Sequence, residues 1–355
     1  MKYDVAIIGA GPAGVCAART LQRAGVRAVL FDGDQEKRTW VRAETVSADA
    51  AATFRELSLF PLIQQECRIV ETNVSLWRGE VWRDTDGGCG SRVIVERGAF
   101  DRALRRQAQN VGVHLVGGRV TRAEFGSEFV KLTLASGATF DVAIVVDATG
   151  RASRWARQEG LRQTRLDSLT AISVMYAGEA EAPSQLRVEA LRAGWAVGMS
   201  DALGREHVFL FVDRDEWCRG RSVTAVFRHL MSESKLFRCV SEGELLQKPR
   251  PWTATTTRLN RCSSDRLIAI GDAAQTRDPL SGGGMGAAVE SASSAARALL
   301  AFLGGDCEAI AHHEWVQRLE FATYLRYRAA YYAQETRWVN APFWQRRRIV
   351  AVSPS

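Results

Sequence analysis

Short, nearly continuous apolar runs recur along the chain at 5–8, 28–31, 142–146 and 267–270. Runs of this length, bounded by Gly or Asp, predict strands buried on both faces, as in a parallel sheet. The first is followed by a helical pattern, VCAARTLQRA, that ends at Gly25, and a second strand, RAVLFD, ends in Asp32. Strand, helix and strand in this order predict a βαβ unit. A later helix, AAVESASSAARALLAFL, is rich in small residues. Residues 193–217 read as two strands joined by a turn, with Trp195 and Trp217 near the ends. Residues 79–90 read as a turn-rich insertion, and 324–347 as an aromatic-rich helix running into a loop.

The joints between these elements carry the chemistry. After the first strand comes GAGPAG, with Gly9, Gly11 and Gly14 spaced around Pro12 and Ala13. Gly9 makes the tight turn, Gly11 lets the backbone approach a pyrophosphate, and Gly14 lets helix and strand pack closely. Asp32, at the end of the second strand, is placed to take ribose hydroxyls. Strand, loop, helix, strand and acid together point to an adenine dinucleotide. A second glycine-rich loop, GDAAQTRDPLSGGGMG, occupies 271–286 after another apolar strand. NAD has no ribityl chain and no ring that gains negative charge on reduction, whereas FAD has both. Asp272 can hold ribityl hydroxyls. Pro279, Gly282, Gly283, Gly284, Met285 and Gly286 let backbone approach a flat ring, and the following helix directs its positive end at that ring. One extended FAD therefore answers both loops. No second strand–GxGxxG–helix unit is present, so a nicotinamide donor has no Rossmann site of its own.

GAGPAG, VVDATG and GDAA…DPLSGGGMG, in this order, resemble the p-hydroxybenzoate hydroxylase superfamily of FAD enzymes over nearly the whole chain. That superfamily includes aromatic hydroxylases, flavin-dependent halogenases and geranylgeranyl reductases. The resemblance implies that Arg97, in RGAFDRAL, lies close to the FAD, with Arg42 a second candidate for the pyrophosphate region. Glu44 and Asp49 follow the second strand, where the superfamily often faces its substrate, and are the candidate bases; a surface role accounts for them as well. GW…FLFVDRDEW with YY-x-x-E-x-R-W…FW-x-RR is similar to a narrower group, the LodB-like flavoproteins that install tryptophylquinone cofactors. Trp82 and Trp195 are candidates to line an aromatic pocket, though core packing explains them equally. Halogenases of the superfamily carry a lysine between FAD and substrate. Here no lysine occurs between Lys37 and Lys131, and their WxWxIP pattern is missing.

The expected fold is α/β: a Rossmann-type, GR2-like FAD-binding domain with an inserted, mostly antiparallel substrate sheet and a helical C-terminal tail. The FAD-binding domain is expected to use 1–70, 95–165 and 260–308, the substrate domain 71–94 and 166–259, and the tail 309–355. The resemblance implies a monooxygenase that hydroxylates an electron-rich, indole-like ring through a flavin C4a-hydroperoxide. Its partners would be O2, NADPH or NADH (or a separate flavin reductase), and an aromatic small molecule or a tryptophan-containing peptide or protein. An FAD-dependent reductase or dehydrogenase of an unsaturated natural-product or prenyl substrate is the alternative.

Composition changes this picture little. The 355 residues carry a net charge of +7, nearly all from arginine spread along the chain. That distribution argues against nucleic acid and fits a solvated surface. Arg346–Arg348 is the one basic cluster. Seven cysteines show no CxxC spacing, and adjacent His312 and His313 diverge on a helix, so neither a disulfide framework nor a metal site is expected. A reducing cytoplasm fits this usage. No apolar stretch reaches the length of a membrane span, and no signal peptide is read at the start.

Overall fold

The computed structural model describes residues 2–33, 41–85, 92–179, 181, 183–217, 222–238 and 243–348. The apolar runs form the centre of a parallel sheet. Its order is Leu267–Ala269, Thr139–Asp147, Lys2–Ile8, Ala28–Asp32, Leu115–Gly117. Val5 pairs with both Ile144 and Ala28, so the first strand is central, and because Leu267–Ala269 runs parallel to it the two glycine-rich loops leave the sheet at the same edge. Both faces are covered, which is why these strands are continuously apolar. The helices Pro12–Arg23, Arg97–Asn110 and Gly284–Leu303 pack on one face around Val15, Leu104 and Val289. The antiparallel strands Val120–Phe125 and Val130–Leu134, with Trp155, cover the other.

A seven-stranded sheet stands beside this body. Its strands come from 72–85 and 169–253, and every pair is antiparallel except Thr72–Trp77 with Gln185–Leu191. The two strands expected within 193–217 are Gly194–Ser200 and Glu206–Asp213, while Trp217 closes the short helix Arg214–Trp217. Alternation sorts their side chains. Val208, Leu210 and Val212 face the helix Val223–Met231, and Trp195, Met199, Phe209 and Phe211 face the opposite way. The insertion at 79–90 begins as the exposed edge strand Glu80–Thr85, and its remainder lies outside the described residues.

The C-terminal tail is helical, as expected: the helix Ala309–Ala333 runs into a loop, and beyond that loop Pro342–Arg348 forms a second helix. Its basic cluster is not a free surface. Arg347 is 3% exposed and pairs with Asp213, Arg346 bridges Asp213 and Asp215, and Arg348 donates to the Glu335 carbonyl. Among the described residues, no helix is long and apolar enough to cross a membrane, and no His, Cys, Asp or Glu group could hold a metal ion.

Candidate FAD and substrate site

A cavity of about 910 Å3 runs from the Gly9–Gly14 turn to the loop around Pro279 and on to the seven-stranded sheet. At its first end the backbone leaves no room for a side chain at Gly9 or Gly14. Gly9 has φ +116°, and a Cβ there would lie 2.3 Å from the Ala148 carbonyl oxygen. A Cβ on Gly14 would lie 1.8 Å from the Gly9 oxygen, whereas one on Gly11 would have no atom within 4 Å. The helix Pro12–Arg23 has no side-chain cap, so its first N–H groups are available to a ligand. Pro12 and Ala13 line the same wall. Asp32 is buried at the end of its strand beside the cavity, and Arg105 Nε lies 3.1 Å from its carboxylate. That arginine, on the helix Arg97–Asn110, had no motif to betray it.

The middle of the wall is an ion-pair cluster. Arg97 opens the helix Arg97–Asn110, grips Asp101 with two donors, and reaches Glu44 at 2.7 Å. Arg42 meets the other Glu44 oxygen at 3.0 Å and lies over the Trp252 ring. Burial pushes the Glu44 carboxyl upward, but Arg97 and Arg42 outweigh it and hold the group at about 2. Glu44 thus lines the cavity as a fixed anion with little basicity, which corrects its reading as a candidate base. Asp49 is exposed on the helix Ala48–Glu56 and does not line the cavity.

The loop end is built on two aspartates with different duties. Asp147, fully buried, accepts from Thr149, Trp155 and Ala156 and organises the turn after its strand. Asp272 instead opens into the cavity, with Arg151 Nε 3.5 Å away. Burial raises its pKa, against the pull of Arg151. Pro279, Gly282, Gly284 and Met285 line the cavity. Gly282 has φ +60°, with the Arg92 guanidinium against it. The helix starts at Gly284, earlier than the expected position after Gly286, and also lacks a side-chain cap. Gly283 and Gly286 are not on the cavity wall; a Cβ on Gly286 would meet Ser47 Oγ at 3.0 Å, so this glycine serves helix packing.

The far wall is aromatic and apolar. Trp195 stacks on Phe211 at 4.0 Å, and Phe209, Trp252, Val197 and Met199 complete the surface. Trp195 Nε1 donates to Tyr332 Oη, which donates to Asp278. The other Asp278 oxygen accepts from Leu280 N–H, and Arg328 bridges Asp278 and Asp167. The aromatic wall is thereby tied to the Pro279 turn by buried polar groups. Trp82 takes no part: it is 68% exposed on the edge strand, outside the cavity. Asp278 and Tyr332 lay in quoted motifs but carried no separate signal of their partnership.

These residues fit an FAD. The cavity joins both glycine-rich loops, its two helix starts are uncapped, and Cβ atoms at Gly9 and Gly14 are excluded.

Comparison with known proteins agrees. A family model described as FAD binding domain matches residues 2–319. LodB of Marinomonas mediterranea, assigned as an FAD-dependent oxidoreductase, is 29% identical over 57% of this chain, a match spanning only 55% of that protein. A digeranylgeranylglycerophospholipid reductase of Methanosarcina acetivorans is 26% identical over 80% of this chain and 71% of its own. Among solved structures, the peptidyl tryptophan dihydroxylase QhpG superposes with a TM-score of 0.85 at 24% identity, covering 98% of this chain and 79% of that one. The flavin-dependent halogenase CmlS gives 0.86 at 22%, covering 100% and 68%. These structural likenesses show a shared fold.

Proposed function

The chain belongs to the FAD binding domain family, and from that premise we propose that it is an FAD-dependent monooxygenase of an electron-rich aromatic ring, tryptophan-derived and free or carried on a peptide or protein. The observation that carries this reading is the aromatic wall of Trp195, Phe209, Phe211 and Trp252 closing the same cavity that the two glycine-rich loops open into. Flat rings pack on such a wall by offset stacking and edge contacts. The likeness to QhpG and LodB supports the choice of a tryptophan-type substrate.

In this reading Gly11 and the helix start at Pro12 receive the diphosphate, Asp32 the adenosine ribose, and Asp272 the ribityl hydroxyls. The Pro279–Met285 segment backs the flavin. Bound FAD would supply two-electron redox chemistry and the activation of O2, with electrons from NADPH, NADH or a separate flavin reductase. The protein's part is placement and dryness. Trp195 and Phe211 orient the substrate ring, and Val197 and Met199 exclude water beside it. The Glu44–Arg97–Arg42 cluster holds the segment after the second strand against the cavity, as positioning groups. No base is assigned.

A second reading, reduction of an unsaturated or prenyl substrate, rests on the apolar character of Leu186, Val188, Val197 and Met199 and on the reductase relatives. Halogenation has less support, because no lysine lines the cavity among the described residues.

The experiment is a search for turnover by the purified holoprotein, given NADPH or a flavin reductase, with N-acetyltryptophanamide and tryptophan-containing peptides. Oxygen uptake coupled to one or two added oxygen atoms in the product supports the proposal. Hydrogen addition to an alkene without oxygen uptake would replace it by the reductase reading. Protein that neither retains nor rebinds FAD would remove both.

A further inference from the structure

Arg277 stands between Asp272 and the Pro279 turn and lines the cavity at its loop end. Its guanidinium has no hydrogen bond or ion pair among the described residues, and its Nε is buried without a partner. The acids of the loop are engaged elsewhere, and the exposed Glu290 feels the Arg277 charge without forming an ion pair with it. Asp278 serves Tyr332, Leu280 and Arg328, and Asp272 faces Arg151. What holds Arg277 is Tyr324, whose ring centre lies 5.3 Å from the guanidinium carbon and whose hydroxyl accepts the Asp278 N–H. The aromatic face and the adjacent backbone therefore set the cation in place without neutralising it. A partly buried cation with no ion-pair partner is costly, and a negative group brought into the cavity offsets that cost.

The cavity at this end is where the first turn of Gly284–Leu303, uncapped, already directs partial positive charge. Building on the FAD reading above, we propose that Arg277 sets the reduction potential of the bound flavin. Two electrons and one proton, delivered by a nicotinamide hydride donor or by a reduced flavin, leave the ring system with one net negative charge. Arg277 favours that anion over the neutral oxidised ring, and it does so with a full charge where the helix supplies a partial one. The charge sits in a protein-walled cavity, where screening by water and salt is weaker than at the surface.

The test compares Arg277→Gln and Arg277→Lys with the unaltered holoprotein. The midpoint potential is measured by anaerobic titration with dithionite against indicator dyes, without substrate. In Arg277→Gln the reduced-to-oxidised ratio at a given solution potential is expected to fall about tenfold, a drop of about 30 mV for a two-electron couple. Arg277→Lys, which keeps the charge, is expected to recover most of it. An unchanged potential in Arg277→Gln overturns the inference, as does an equal fall in both variants, which would mark a role in shape instead of charge. Glu290→Gln, at an exposed position whose carboxyl feels the Arg277 charge, covers the case in which Arg277→Gln does not fold. Removing that negative neighbour is expected to raise the potential, and no rise overturns the inference. Absence of flavin from the unaltered protein would instead strike the FAD reading itself.

Discussion

Gly14 shows how much of the site is decided by single atoms. A Cβ there would stand 1.8 Å from the Gly9 carbonyl, a backbone atom that cannot swing aside. Gly14→Ala is expected to lose FAD on purification and to destabilise the protein by about 1–3 kcal/mol or more, as overpacking does. Flavin absorbance and thermal unfolding check both, and a variant that keeps its flavin and its melting temperature would refute the close packing. Other residues could not be judged one at a time. Glu44 has the right place for a base, but its two arginine partners come from 42 and 97 and make it a permanent anion. Asp49, in the first turn of the next helix, is exposed while Ala50 and Ala51 beside it are buried, the sorting that helical rotation imposes. Trp82 and Trp195 looked alike in the sequence; their opposite fates follow from edge and central places in one sheet.

At the scale of elements, the last long helix joins the two halves of the site. Tyr332, near its end, bridges Trp195 on the sheet and Asp278 before the Pro279 turn. Tyr332→Phe leaves a buried indole N–H and a buried carboxylate oxygen short of a partner. A loss of about 1–3 kcal/mol is expected from that desolvation, with FAD still bound, and denaturant titration of the holoprotein measures it. Unchanged stability would mean the bridge contributes nothing. The same helix meets Gly284–Leu303 through His313, whose Nδ1 lies 2.8 Å from Ser294 Oγ. Burial, with a smaller push from Arg297, lowers the His313 pKa to about 4. The unfolded chain binds that proton more readily, near pH 6.5. Its contribution is therefore complete above about 6.5 and is lost as pH falls toward about 4, by at most about 3 kcal/mol. Unfolding free energies measured between pH 7.5 and 4.5 are expected to fall more steeply in the unaltered protein than in His313→Gln. Parallel curves would contradict a buried neutral histidine.

For the whole molecule, the cavity couples folding to cofactor. It is walled by the Rossmann body, the Arg42–Glu44 segment and the seven-stranded sheet, so a ligand held there touches all three. Stripping FAD is expected to lower the thermal midpoint, and adding it back at 100 times its dissociation constant is expected to restore about 2.7 kcal/mol. A differential scanning titration with FAD, and with FMN as a control lacking the adenosine half, checks this. Equal stabilisation by both would mean that the Gly9–Gly14 end is not engaged. The tail belongs to the same unit, since Trp344 and Arg347 are buried against the sheet.

Local chemistry determined the parts of this protein that a few consecutive residues can encode. Strand, glycine turn and helix at 5–24, the second loop at 271–286, and the two strands within 193–217 were legible because sterics and side-chain alternation act over neighbours. Tertiary structure decided everything that needed two distant segments at once. It brought Arg105 to Asp32, Arg97 to Glu44, and Tyr332 to Trp195 and Asp278. It also moved the start of the second helix to Gly284 and drew the arginine-rich tail into ion pairs. Those outcomes depend on burial and on polar groups from separate segments meeting in space, quantities that hydrophobic periodicity does not carry.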